Sequence, residues 1–225
     1  FEQVIEMDPD FAGGYAGVAN MLAFRNVFAH GLDSAIVERA EERARKAIDL
    51  DPTLGWSYTG LGLSLILQGK IEDGITAARE AIRRQPGDAD AHAFLGMFLG
   101  VTGNPAEGVA CIELAIRLNP QFVNGPYLNQ LGQIHAFGGN YEAARDAIEL
   151  NLERKGPVGP PAQASLAAAY QGLGQTEKAR EVVAQLIEST PDFRLEGWNV
   201  LRLAGRRKRG IDTSVCYGSP ASRSS

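Results

Sequence analysis

Residues 55–88, GWSYTGLGLSLILQGKIEDGITAAREAIRRQPGD, decide the fold. Tyr58, Leu61 and Leu65 give large residues to a first helix, and no apolar/polar alternation of the kind a strand needs runs through them. Gly69-Lys70 supplies a turn, because glycine accepts the left-handed conformation that ends a helix. Gly62 and Gly74 are small residues that let two helices approach closely, Ala81 adds another, and Pro86 ends the second helix. Residues 89–122 repeat the arrangement with His92, Leu95-Gly96, Leu99, Gly103-Asn104, Gly108, Ala115 and Pro120. From Pro52 to Pro86 to Pro120 the step is 34 residues each time, and Pro157 to Pro191 gives 34 again.

Working outward, residues 12–54 carry the same pattern as Tyr15, Val18-Ala19, Leu22, Ala40, Ala47 and Pro52, with an insertion of about nine residues around Asn26–Ser34 judged against that period. Residues 123–157 carry it as Leu131-Gly132, His135, Gly139-Asn140, Ala144 and Asn151, with a short insertion near Asn124–Tyr127. Residues 158–193 close the series with Leu166-Ala167, Tyr170, Gly174-Gln175, Ala179, Leu186 and Pro191. Helical hairpins at this period, with these large and small positions, resemble the tetratricopeptide repeat. The resemblance implies an all-α fold, an α-α superhelix or solenoid of antiparallel helix pairs, with five units at 12–54, 55–88, 89–122, 123–157 and 158–193. Phe1, Val4 and Ile5 share one helical face before Pro9, so residues 1–11 are expected to be the second helix of a leading repeat cut short here. Ends of such stacks need polar caps, so this half-unit is expected to expose part of its core. Leu195, Trp198, Leu201 and Leu203 predict a capping helix over 194–205, and the basic, Ser-rich residues 206–225 read as a disordered tail.

Composition narrows the function. Of 225 residues, 44% are hydrophobic and 22% charged, the balance of a folded chain. A net charge of −5 gives no field that favours nucleic acid or an anionic membrane. Cys111 and Cys216 suit neither a zinc site nor a disulfide framework. No stretch approaches the roughly 20 apolar residues of a membrane span, and no signal-peptide pattern is present. An intracellular, cytoplasmic setting follows as the expectation.

No constellation for catalysis emerges. Of the three histidines, His30, His92 and His135, the last two stand where bulky core residues belong, and they read as packed or partly buried side chains rather than catalytic groups or metal ligands. Asp88, Asp90 and His92 lie close together, but no second ligand cluster completes a metal shell, and Asp88 or Asp90 reads as a helix cap. Ser57, Thr59 and Ser64 have no base nearby, Gly13-Gly14 lacks the Lys-Ser/Thr of a phosphate loop, and Cys111 reads as a small buried hydrophobe. Arg206–Arg209 reads as a solvated tail; as a functional element it would be a nuclear address or a nucleic-acid contact. Neither a cofactor, a metal nor a small-molecule substrate is expected.

The resemblance further implies that first helices line a groove for a partner peptide or helix. Carried over by position, the groove takes Ala16, Asn20 and Phe24 from the first unit and Trp56, Thr59, Leu63, Ile66 and Leu67 from the second. Ala93, Met97 and Val101 come from the third, and Asn129, Gln133 and Phe137 from the fourth. Asn20, Phe24, Trp56, Thr59, Leu63, Met97, Asn129, Gln133 and Phe137 are the candidate contacts; each, at such spacing, also suits packing against the next unit. The clamp of lysines and asparagines with which some family members grip chaperone C-termini is matched only at Asn20. The insertions, the Asn119-Pro120-Gln121-Phe122 segment and the ending Thr190–Trp198 are similar to a group of bacterial arrays. Those commonly sit behind a class III adenylate/guanylate cyclase domain or a DNA-binding winged helix, although past Trp198 this chain departs from the group. The expectation is therefore a non-catalytic interaction module of a larger signalling protein, or alternatively the regulatory C-terminal part of a cyclase-type enzyme.

Overall fold

The structure, a computed structural model, describes residues 1–28, 32–122 and 126–191. Among them every regular element is a helix, and the helices divide between two compact units, residues 1–122 and residues 126–191. His30, Cys216, the capping helix expected at 194–205 and the tail at 206–225 lie outside the described residues.

The first unit runs α1 (Glu2–Met7), α2 (Ala12–Phe28), α3 (Ser34–Leu50), α4 (Gly55–Leu67), α5 (Ile71–Arg84), α6 (Ala89–Thr102) and α7 (Pro105–Leu118). The second runs α8 (Tyr127–Phe137), α9 (Tyr141–Glu153), α10 (Pro160–Gly172) and α11 (Thr176–Ser189). Consecutive helices pair as α2/α3, α4/α5 and α6/α7, and as α8/α9 and α10/α11. Each pair then packs on the next in its unit: α4 on α2 and α3, α6 on α5, and α10 on α8 and α9. That is the all-α solenoid of antiparallel helix pairs.

Local chemistry fixes the hairpins. Gly69, Gly103, Gly139 and Gly174 all have positive φ, between 73° and 114°, at the turn between helices. At the first of these, Lys70 N–H donates to Leu65 O and Gly69 N–H to Ile66 O, both at 2.9 Å. Those bonds satisfy carbonyls that the end of α4 would otherwise leave bare. Asp88 caps α6 by accepting from Ala91 N–H at 3.1 Å, and Asp33 caps α3 by accepting from Ala35 and Ile36 N–H. The insertion around 26–34 is taken up partly as helix: α2 and α3 each run 17 residues, against 13 and 14 for α4 and α5.

Packing joins one hairpin to the next. Ala44 of α3 and Ala19 of α2 cluster with Leu61, Leu65 and Ala77 of the following hairpin. Ile75 and Ala78 of α5 meet Leu95 and Leu99 of α6 in the same way, and Ile148 of α9 meets Leu166 and Tyr170 of α10. The hairpins themselves close on glycine. A Cβ on Gly62 would lie 2.9 Å from Gly74 O, and one on Gly108 would lie 2.6 Å from Gly96 O. At the corner between α3 and α4, Arg84 Nε donates to Pro52 O while its guanidinium lies 3.9 Å from the Tyr58 ring centroid. Glu41 of α3 accepts from Gln68 Nε2 at 2.5 Å and pairs with Arg45 and Lys70, holding the α4–α5 turn against α3.

Candidate functional site

In the first unit, the face carried by α2, α4 and α6 is more closed than its sequence suggests. Asn20 is buried, and its Nδ2 donates to Ala16 O at 2.8 Å and to Trp56 O of α4 at 2.9 Å. It is a clip between two first helices, with little left to offer a partner. Leu63, Thr59 and Met97 are also buried, as are Ala16, Ile66, Leu67, Ala93 and Val101 of the wider groove set. These residues shape the face rather than present it.

What remains open is aromatic. Phe24 is 37% exposed and meets Phe94 of α6 edge-to-face, with ring centroids 5.7 Å apart. Since α4 stands between α2 and α6, this contact crosses the first-helix face of α4, where Leu63 and Leu67 are buried. Trp56, at the start of α4, is half-buried; its backbone N–H donates to Gln85 Oε1 at 3.1 Å and its ring meets Phe1 edge-to-face at 5.7 Å. Phe94 and Phe1 were absent from the sequence-derived set. Phe94 had a readable signal, since it puts a large ring where the preceding first helices have Gly17 and Gly60. Phe1 had none, because nothing in a linear pattern relates it to Trp56.

The second unit follows the same logic. Asn129 is buried, its Nδ2 donates to Pro157 O at 2.8 Å, and its Oδ1 accepts from Asn151 Nδ2 at 3.0 Å. Asn151 Nδ2 also reaches Pro157 O at 3.1 Å, so two carboxamides hold α8, α9 and the chain after α9 together. Gln133 is buried with its Oε1 unpaired, as is Thr59 Oγ1 in the first unit. Phe137 is half-buried.

The titratable groups serve packing. His92 is buried and its Nε2 lies 2.9 Å from Pro86 O, tying α6 to the corner before it. His135 is half-buried on α8. Burial pushes the Cys111 thiol above its ordinary pKa, with Glu107 adding to the effect, so the nucleophilic thiolate is disfavoured. Burial alone would raise Glu41, but the Gln68 hydrogen bond and the charges of Arg45 and Lys70 outweigh it and hold the carboxyl below the usual range. Among the described residues no group of three His, Cys, Asp or Glu side chains is placed to hold a metal ion, and no helix is long and apolar enough to cross a membrane.

Comparison with known proteins follows this geometry. Tetratricopeptide-repeat family profiles match residues 59–121 and 160–185. A TPR repeat-containing protein of Bacillus subtilis (strain 168), YpiA, is 25% identical over 158 residues, which are 69% of this chain and 37% of that protein. The chain thus spans little more than a third of that relative's length. Among solved structures, YrrB, described as a TPR protein with an unusual peptide-binding site, superposes with a TM-score of 0.55 at 23% identity, covering 92% of this chain and 96% of its own. The APC/C hetero-tetramer Cut9–Hcn1 gives a TM-score of 0.70 at 19% identity, over 92% of this chain and 39% of that one. At such identities the likeness to these structures is one of fold. The matched profiles mark residues 59–121 and 160–185 as tetratricopeptide repeats, and the recurring hairpins with their glycine turns give each unit the solenoid packing of that fold.

Proposed function

We propose that this chain is a non-catalytic protein-interaction module that takes a partner peptide or helix on its first-helix faces. Phe24 and Trp56 are the anchors in the first unit and Phe137 is the anchor in the second. The observation that carries this reading is the contrast on one face: a buried floor of Asn20, Thr59, Leu63 and Met97, with the Phe24 and Trp56 rings only partly buried beside it. Interaction energy concentrates in a few large aromatic side chains set on well-packed surroundings. The unpaired Gln133 Oε1 favours a partner with backbone amides to donate, since a buried acceptor without a donor is costly. A peptide-binding site is ascribed to YrrB, which shares this fold.

The module belongs, on this reading, to a larger cytoplasmic bacterial signalling protein, with a cyclase-type or winged-helix domain upstream. The Asn119–Phe122 and Thr190–Trp198 segments support that context. Upstream coding sequence lacking both domains would remove it. The binding claim is tested by selecting peptides from a displayed library on the full chain and titrating the best one calorimetrically. Phe24→Ala and Trp56→Ala, with helicity unchanged, should each weaken binding about tenfold or more. Undiminished affinity in both variants would remove the groove assignment.

A further inference from the structure

The first helix of each hairpin is almost free of charge. Helices α4, α8 and α10 carry no Asp, Glu, Lys or Arg; α2 has only Arg25, in its last turn, and α6 only Asp90, in its first. The second helices are the reverse, with the ion pairs Arg79–Glu107, Arg145–Glu149 and Arg180–Glu177 distributed over α5, α7, α9 and α11. Burial accounts for the floor of the first-helix layer, where Leu63 and Leu67 are 1% exposed. It does not account for the positions that reach water, where a helix ordinarily places polar and charged side chains. There α2 presents Met21, 61% exposed, and Phe24. Trp56, Phe94 and Phe137 are half-buried, and so are Ala164 and Ala168 of α10. Asn20, the carboxamide between α2 and α4, spends its Nδ2 on the Ala16 and Trp56 carbonyls.

We infer that the partner segment is uncharged along the stretch it lays on these faces, and that it is held by apolar contact without ion pairs. The inference rests on the peptide-binding reading above and adds the chemistry of the peptide. A charge brought against Phe24 and Phe94 would shed its water and find no opposite charge on the apolar face to replace it; an unpaired, desolvated charge is strongly unfavourable. Arg25 and Asp90 do not relieve this, because both are exposed at helix ends, where pairing gains little. The faces therefore select against charged sequences as well as for apolar ones.

The test uses the full chain and a peptide selected on it from a displayed library of unrestricted composition. Peptide residues that lose affinity on alanine substitution are its contacts, and these should be uncharged. Kd should change less than about threefold between about 0.01 M and 1 M salt, a range over which exposed charges lose their reach. Lysine or glutamate placed at a contact should weaken binding about tenfold or more, with little change elsewhere in the peptide. These substitutions are in the peptide, so folding of the chain is not at stake. If Phe24→Ala and Trp56→Ala both leave affinity intact, or no peptide is selected, the peptide-binding reading fails and the inference fails with it. If those variants weaken binding while affinity falls about tenfold or more with salt, or while a charged peptide residue proves to be an essential contact, the reading stands and the inference is overturned. A face already covered by a second copy of the chain, seen by light scattering as a dimer that the peptide does not dissociate, overturns it as well.

Discussion

Gly108→Ala separates close packing from helix propensity by sign. Gly108 lies inside α7, where glycine ordinarily costs a helix about 0.5–1 kcal/mol relative to alanine. If nothing approached it, the substitution would stabilise the protein. In the structure a Cβ there would stand 2.6 Å from Gly96 O, 2.8 Å from Gly100 N and 3.0 Å from Gly100 Cα. All three are backbone atoms of α6, so no side chain can swing aside; the two helices must separate. Overpacking of this kind costs about 1–3 kcal/mol, and the rigid backbone places this site toward the upper end. After the propensity gain, a net loss of about 1–2 kcal/mol remains, or a fall in Tm of about 2–4 °C per kcal/mol for a chain of this size. Urea unfolding followed by far-UV circular dichroism measures it. Gly87→Ala is the control, because a Cβ there meets nothing within 4 Å, and it should change stability by less than about 0.5 kcal/mol. Gly108→Ala as stable as the wild type, or more stable, would refute the close-approach account of the hairpins.

Three further outcomes follow from particular contacts. Lys155 sits at φ 59° between α9 and α10, the left-handed region that disfavours a side chain, so Lys155→Gly should raise the unfolding free energy by about 0.5–1 kcal/mol; a lower value contradicts this. Asn151 is 1% exposed and its carboxamide serves both Asn129 Oδ1 and Pro157 O, so Asn151→Ala should cost about 1–3 kcal/mol, and a loss within noise would mean the amide cluster contributes nothing. The Glu41 carboxyl is held below its usual pKa of 4.5, so its contribution is complete above that value and is lost as pH falls through the lower folded-state pKa; the wild type's advantage over Glu41→Gln should shrink below about pH 4.5, and an advantage that grows with acid would reverse the sign.

The elements that were legible in the sequence are those set by backbone geometry. Gly69, Gly103, Gly139 and Gly174 announce their turns because few other residues accept positive φ, and the Gly62–Gly74 and Gly96–Gly108 crossings show as small residues at fixed spacing. The surface was less legible. Asn20 and Asn129 occupy positions that face a groove, yet each has a carbonyl within reach on a neighbouring segment, Trp56 O and Pro157 O, and turns to it. A linear motif records which way a helix face points but not whether a polar partner waits there. The Phe1–Trp56 and Phe24–Phe94 contacts join residues far apart in sequence, and only the stacking of hairpins brings the rings together. The length added around 26–34 likewise gave no sign of whether it would extend helices or open a loop; α2 and α3 took much of it as extra turns.

The central claim is that partners are held by open aromatic side chains on the first helices. The Trp56 indole N–H resonance, followed by NMR as a library-selected peptide is added to the full chain, tests it most directly. Trp56 should shift or broaden in step with binding, together with the Phe24 ring, while exposed side chains on second helices such as Arg79 and Arg180 stay still. Changes confined to α3, α5 and α7, with Trp56 and Phe24 unmoved by a peptide that demonstrably binds, would place the partner on the opposite face and contradict the account.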